Sequence, residues 1–222
     1  MFMWVVAELI NNIENQLDLG YGRASMPIPD SMIIPDKKIK LTDGSEEIET
    51  VVSVSVLRRA QIDVTVAGIT LQNENYAKCN RGVKIVPDQS LSNISNFDIY
   101  DVIVIPGGLN AAKAISSNPE VQKLLASMHQ AGKFVAAICA GTLAIKSANI
   151  NKGGKITSHP IVKADLENEY SYQEDRVVVD NKVVTSRGPG TALLFALTIV
   201  ELLLGEEKRN EVSNHMIVAS IL

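Results

Sequence analysis

The sequence predicts an α/β domain, a mainly parallel sheet with helices on both faces, and three observations carry that expectation. Short apolar runs at 64–67, 102–105 and Phe134–Ile138 show no polar alternation, as strands buried on both faces require. Helical patterns over 46–60, 119–131, 141–148 and 191–204 separate or follow them, giving a repeated strand-helix order. Right-handed crossovers between parallel strands then distribute the helices to both sides of the sheet.

Taken in order, the first 36 residues fit this alternation badly. Residues 11–19 pattern as a short helix, and Pro27, Pro29 and Pro35 break up the stretch beyond it. Lys38-Ile39-Lys40-Leu41 stands where the first strand belongs, yet it alternates charged with apolar residues. A central parallel strand is normally apolar throughout, so either this strand has one wetted face or the fold was not built around it. Residues 1–36 are therefore set apart as an N-terminal extension of unassigned status, and 37–222 as one domain with a C-terminal helix. Near the end, 177–179 and 183–185 flank Asp180-Asn181, two residues that tolerate positive φ, which reads as a hairpin at a sheet edge or an appended ribbon.

Composition narrows the function. A chain of 222 residues with 46% hydrophobic and 21% charged residues suits one hydrophobic core. Its net charge is -4 and no Lys/Arg run stands out, so nucleic acid finds no attracting field. No apolar stretch approaches the roughly 18 to 20 residues that cross a bilayer, and the N-terminus has no basic region typical of a signal peptide. Two cysteines cannot staple a chain of this length, which points to a reducing, cytoplasmic setting.

Chemistry concentrates at strand ends. Phe134–Ile138 runs into Cys139-Ala140-Gly141-Thr142, the outline of a nucleophile elbow with small residues after the thiol. Free N–H groups at the following helix start lie beside the sulfur and favour a thiolate at neutral pH; the alternative is a small buried cysteine at a strand end. Gly107-Gly108 closes another apolar strand, where the main chain can approach a ligand and point N–H groups at an oxyanion, or merely turn tightly. Glu46 and Glu47 in a first helical turn serve the helix dipole and solvent. Glu49 differs, because it lies three and seven residues before Val52 and Val56 on an apolar stripe. A carboxyl group there is desolvated, holds its proton, and can act as an acid or base.

His159 ends a short strand 20 residues after Cys139, at what the topology makes the same sheet edge; most such histidines are ordinary hydrogen-bonding residues. His129 and His215 pattern as surface-helix residues. The segment 186–191 lacks the spacing of a phosphate loop or dinucleotide fingerprint. Cys79 has no Cys or His partner at metal spacing, so no metal site and no cofactor is expected.

Six blocks of this sequence resemble the ThiJ/PfpI superfamily, in its DJ-one branch: 44–50, 57–60, 101–108, 136–141, Ser158-His159-Pro160 and 185–191, in the family's order and approximate spacing. The resemblance implies a flavodoxin-like three-layer sandwich and a homodimer. It implies Cys139 as an oxidisable nucleophile, Glu49 as the protonated carboxyl group bonded to it, and His159 as the nearby imidazole. Gly107, Gly108 and Ala140 become the oxyanion and substrate positions, and Pro189 a residue at the site rim and dimer interface. Protease-like members place a His directly after the nucleophile; Ala140 stands there in this chain, so a peptidase would lack its base. Residues 1–36 have no family counterpart, and Lys38 and Lys40 replace apolar positions of the family's first strand. The implied activity is a glutathione-independent glyoxalase acting on 2-oxoaldehydes such as methylglyoxal, or a deglycase acting on glycated side chains, without cofactor or metal. The alternative is an oxidation sensor and holdase chaperone using the same Cys139.

Overall fold

The computed structural model describes residues 4–5, 36–94 and 96–219; the expected helix at 11–19 and the three prolines lie outside them. In chain order the first elements are β1 (Trp4–Val5), β2 (Asp36–Leu41), α1 (Glu47–Arg59), β3 (Val64–Gly68), β4 (Ala77–Lys78), β5 (Lys84–Ile85) and β6 (Gln89–Ser90). Next come β7 (Tyr100–Ile105), α2 (Leu109–Ser116), α3 (Pro119–Gln130), β8 (Phe134–Ile138) and α4 (Leu143–Ser147). The chain continues through β9 (Lys155–Ile156), α5 (Lys163–Leu166), β10 (Ser171–Tyr172), β11 (Val177–Asp180), β12 (Val183–Ser186), α6 (Ala192–Leu204) and α7 (Glu206–His215).

The main sheet runs β1-β3-β2-β7-β8-β12-β11, with β6 also on β3. Among the described residues its interior ladders are parallel, and the edge pairs β1–β3 and β11–β12 are antiparallel. The predicted apolar strands β3, β7 and β8 are buried along nearly all their length, as coverage of both faces demands. Helices α1, α6 and α7 pack together, while α2, α3 and α4 form a second group. This is the flavodoxin-like arrangement. Phe195, Leu41, Leu57, Ile103 and Ile105 are among the largest side chains sealed in its core.

The charged first strand takes an interior position all the same. Ile39 on β2 pairs with Val66 on one side and Val104 on the other, so its backbone groups are satisfied both ways. A register shift against β7 falls between Asp36 and Lys38. Two residues of the N-terminal extension also join the sheet, Trp4 opposite Val66 and Val5 opposite Thr65.

The hairpin forms at the sheet edge, with its turn one residue later than expected. Asn181 and Lys182 take φ of 44° and 64°, and Asp180 completes β11 opposite Val183. Two positive φ angles give the turn the twist of its strands. The Asp180 carboxylate instead accepts from the Lys155 N–H at 2.8 Å. The helix expected over 141–148 starts as a 3-10 turn, Cys139–Thr142, before α4.

Topology places a crevice. From β2 the chain crosses through α1 to β3 on one side; from β7 it crosses through α2 and α3 to β8 on the other. The order reverses between β2 and β7, and ligands in open α/β sheets lie beyond the carboxyl ends of strands at such a switch point.

Candidate active site

Three chain segments meet at that crevice: the start of α1, the Pro106-Gly107-Gly108 turn after β7, and the elbow after β8. Cys139 has φ of +64°, a left-handed conformation that costs an L-residue about 1–2 kcal/mol and that the surrounding structure must enforce. Small neighbours make it possible. A Cβ on Gly141 would lie 2.6 Å from the Pro106 oxygen and 2.8 Å from the Ile105 oxygen. Gly107 is equally constrained, since a Cβ there would meet Cys139 Cβ at 2.5 Å, Glu49 Oε2 at 2.7 Å and Cys139 Sγ at 2.9 Å. Gly108, with φ of +93°, packs so closely on the Gly44 oxygen that no side chain fits.

Glu49 is fully buried in the first turn of α1. Its Oε2 accepts the Gly107 N–H at 2.6 Å, its other oxygen has no partner, and its carboxyl group is hydrogen-bonded to the Cys139 thiol. Burial pushes Glu49 up to about 8, with the charge of Glu46 adding to the rise and the Gly107 N–H opposing it. At neutral pH Glu49 therefore keeps its proton.

Cys139, 8% exposed, is pushed up to about 12 by burial first and by the charge of an ionised Glu49 second; the N–H groups of Ala140 and Gly108 pull the other way. The expectation of a thiol acidified by a helix start needs correction. The sulfur faces a four-residue 3-10 turn leading into a five-residue helix, and burial outweighs that short dipole. The two groups ionise as a pair instead. Glu49 is the lower of the two, so the first proton lost from the pair leaves a Glu49 carboxylate that accepts the Cys139 thiol proton, with the Ala140 and Gly108 N–H groups beside the sulfur.

His159 stands at the rim, half-buried. Its Nδ1 accepts the Ile161 N–H at 3.2 Å, which leaves Nε2 as the protonated ring nitrogen of the neutral imidazole, and its backbone N–H donates to the Cys139 oxygen at 3.4 Å. A Cβ on Gly188 would sit 3.5 Å from the ring Cδ2, so the loop carrying Pro189 forms the facing wall. Pro189 opens the 3-10 turn Pro189–Thr191.

Sequence reasoning missed the part played by the other two acidic residues. Glu46 and Glu47 are 8% and 7% exposed and do not face solvent. Glu46 caps α1 by accepting the Glu49 N–H at 2.8 Å, while its own N–H donates to the Gly107 oxygen at 3.0 Å. It thereby ties helix to glycine turn. Glu47 accepts the Arg81 N–H at 2.8 Å and fixes the loop of Cys79, whose thiol burial pushes up to about 12. The spacing of Glu46 three residues before Glu49 was the available signal, because an N-cap side chain bonds the N–H three positions on.

Known proteins match the span that builds this site. The model of the DJ-1/PfpI family matches residues 38–202. Protein dj-1beta of Drosophila melanogaster is 44% identical over 180 residues, covering 81% of this chain and 95% of that protein. A Caenorhabditis elegans protein named glutathione-independent glyoxalase DJR-1.2 is 38% identical over 178 residues, covering 80% and 92%. The crystal structure of Drosophila melanogaster DJ-1beta superposes with a TM-score of 0.76 over 82% of this chain and 96% of the other. The family match begins within β2 and takes in Glu49, Gly107, Cys139 and His159. With an elbow, a buried carboxyl group and a glycine turn meeting at one switch point, the chain belongs to the DJ-1/PfpI family.

Proposed function

We propose that this protein is a cofactor-independent enzyme of reactive 2-oxoaldehydes, converting methylglyoxal to lactate without glutathione. The observation that carries it is the buried, proton-sharing contact of Glu49 with the Cys139 thiol, and a relative named as a glutathione-independent glyoxalase supports it. The Cys139 sulfur attacks the aldehyde carbon as its proton passes to the Glu49 carboxylate, and the carbonyl electrons move to oxygen as the C–S bond forms. That oxygen develops beside the Gly108 and Ala140 N–H groups and takes the proton from Glu49, giving a hemithioacetal and a carboxylate ready to act as base. Glu49 removes the proton from the former aldehyde carbon and returns one to the neighbouring carbon through an enediol, with His159 exchanging a proton at oxygen. One carbon is oxidised and the other reduced, so no external oxidant is needed. Water then releases the hydroxy acid from the thioester and restores the thiol.

The same attack on early glycation adducts makes the protein a deglycase. The reading also includes a homodimer. Ile48 and Val51 on α1 and Val83 and Val86 beside β5 are 51%, 49%, 48% and 71% exposed, and Val51 and Val86 line an open groove of about 580 Å³ together with Val54, Ile85, Arg58 and Asp88.

The test is turnover of methylglyoxal by purified protein without glutathione. Cys139→Ala and Glu49→Gln are each expected to lose at least about 100-fold. Equal turnover in all three proteins overturns the proposal.

A further inference from the structure

The segment from β10 onward, through Arg176, touches both walls of the crevice, although none of its residues belongs to the reacting set. On one wall the Tyr172 hydroxyl donates to the Ser158 oxygen at 3.0 Å and lies 3.0 Å from Ser158 Oγ. Ser158 Oγ donates in turn to the His159 oxygen at 3.0 Å. On the other wall Arg187 binds the carboxylate of Glu174, and Arg176 donates to the Gly190 oxygen at 3.0 Å. Lys163 bridges them, with its ammonium 2.7 Å from Glu174 and 5.0 Å from the centre of the Tyr172 ring.

These contacts matter because they add to a short set of bonds at His159. Its backbone N–H reaches the Cys139 oxygen at 3.4 Å, its oxygen accepts the Val162 N–H at 3.1 Å, and Ile161 fixes the ring tautomer, while two residues back the Thr157 N–H donates to the Thr185 hydroxyl on β12 at 2.9 Å. The parallel ribbon β9–β10 sets Tyr172 opposite Ile156, two residues before Ser158. The phenol therefore reaches the peptide group that joins Ser158 to His159. A phenol donating to that peptide oxygen restrains the peptide's rotation, and with it the direction of the next side chain.

We propose that Tyr172, through its bond to the Ser158 peptide oxygen, is a positioning residue of His159. This rests on the reading of His159 as the group that exchanges protons at the substrate oxygen. Tyr172 touches neither substrate nor sulfur.

The experiment compares Tyr172→Phe and Ser158→Ala with the parent protein in three measurements. With methylglyoxal, kcat is expected to fall about tenfold, the worth of one net hydrogen bond, while KM stays within about twofold. The pH dependence of Cys139 alkylation by iodoacetamide should be unchanged in both variants, since neither removes a group that the sulfur feels. Nuclear magnetic resonance of the ring should show the His159 Nε2 and Cε1 signals shifted or broadened in both. Unaltered His159 signals together with an unaltered kcat overturn the proposal. So does a Tyr172→Phe protein in which alkylation slows as much as turnover, because the loss is then structural. Should the parent protein not turn over methylglyoxal, the proposed reaction fails, while the ring signals still decide the positioning of His159.

Discussion

At the level of single residues, the site is a hydrogen-bonded pair in which an ionised Glu49 holds back the thiol while the thiol's hydrogen bond eases the ionisation of Glu49. Burial alone would disable both, since a carboxylate and a thiolate are each costly in that environment. Together, one proton serves two groups, and two main-chain donors stand beside the sulfur. The glycine at 107 is what lets them meet, for any side chain there would occupy the space between Cys139 and Glu49. Much of this is legible in the sequence. The small residues after Cys139 announce the elbow, and the spacing of Glu49 from Val52 and Val56 announces its burial. The direction of the thiol's shift is not, because local sequence shows a helix start but neither its shortness nor the depth at which the sulfur lies.

Among the elements, α1 has the largest task, carrying Glu49 in its first turn and packing on α6 along its length. Its start is built from side chains, its end from backbone. The Ile62 N–H bonds the Leu57 oxygen at 3.1 Å and the Gln61 N–H bonds the Arg58 oxygen at 3.0 Å, the pair that closes a Schellman motif. The residue this motif places at positive φ is Gln61, at 60°, where glycine carries no penalty. Gln61→Gly is accordingly expected to stabilise the protein by about 0.5–1 kcal/mol, seen as a Tm higher by about 2–4 °C. A lower Tm would show that the exposed Gln61 side chain contributes more than its strain costs. Strands β3, β7 and β8 are legible because burial on both faces erases polar alternation. The hairpin is legible to within one residue, the slip arising because Asp180 is recruited by the Lys155 N–H and Asn181-Lys182 does the turning. Helix α2 escapes a sequence reading, since its start depends on Gly108 at φ of +93°, which the sequence also allows in a plain turn.

Across the whole molecule, the order of strands is decisive. It brings the ends of β2, β7 and β8 to one crevice, and no local pattern encodes that meeting. The family's block order conveys it, which is why fold and site partners become readable together once the resemblance is recognised. No helix among the described residues is long and apolar enough to cross a membrane. The apolar face of α1 and the loop beside β5 gives the proposed homodimer its contact, and Val51→Asp should yield monomers with a folded circular dichroism spectrum. Sedimentation showing the same mass for parent and variant would move the interface elsewhere or remove it.

Whether Cys139 and Glu49 react as one ionising unit is decided by the pH dependence of kcat/KM for methylglyoxal in the parent protein and in Glu49→Gln. The parent rate should rise by one ionisation to a plateau, with its midpoint no higher than about 8. In Glu49→Gln, that ionisation should vanish and the residual rate should climb only at more alkaline pH, as an isolated buried thiol loses its proton. Superimposable profiles, or a parent rate still climbing steeply towards 12, would contradict the shared ionisation.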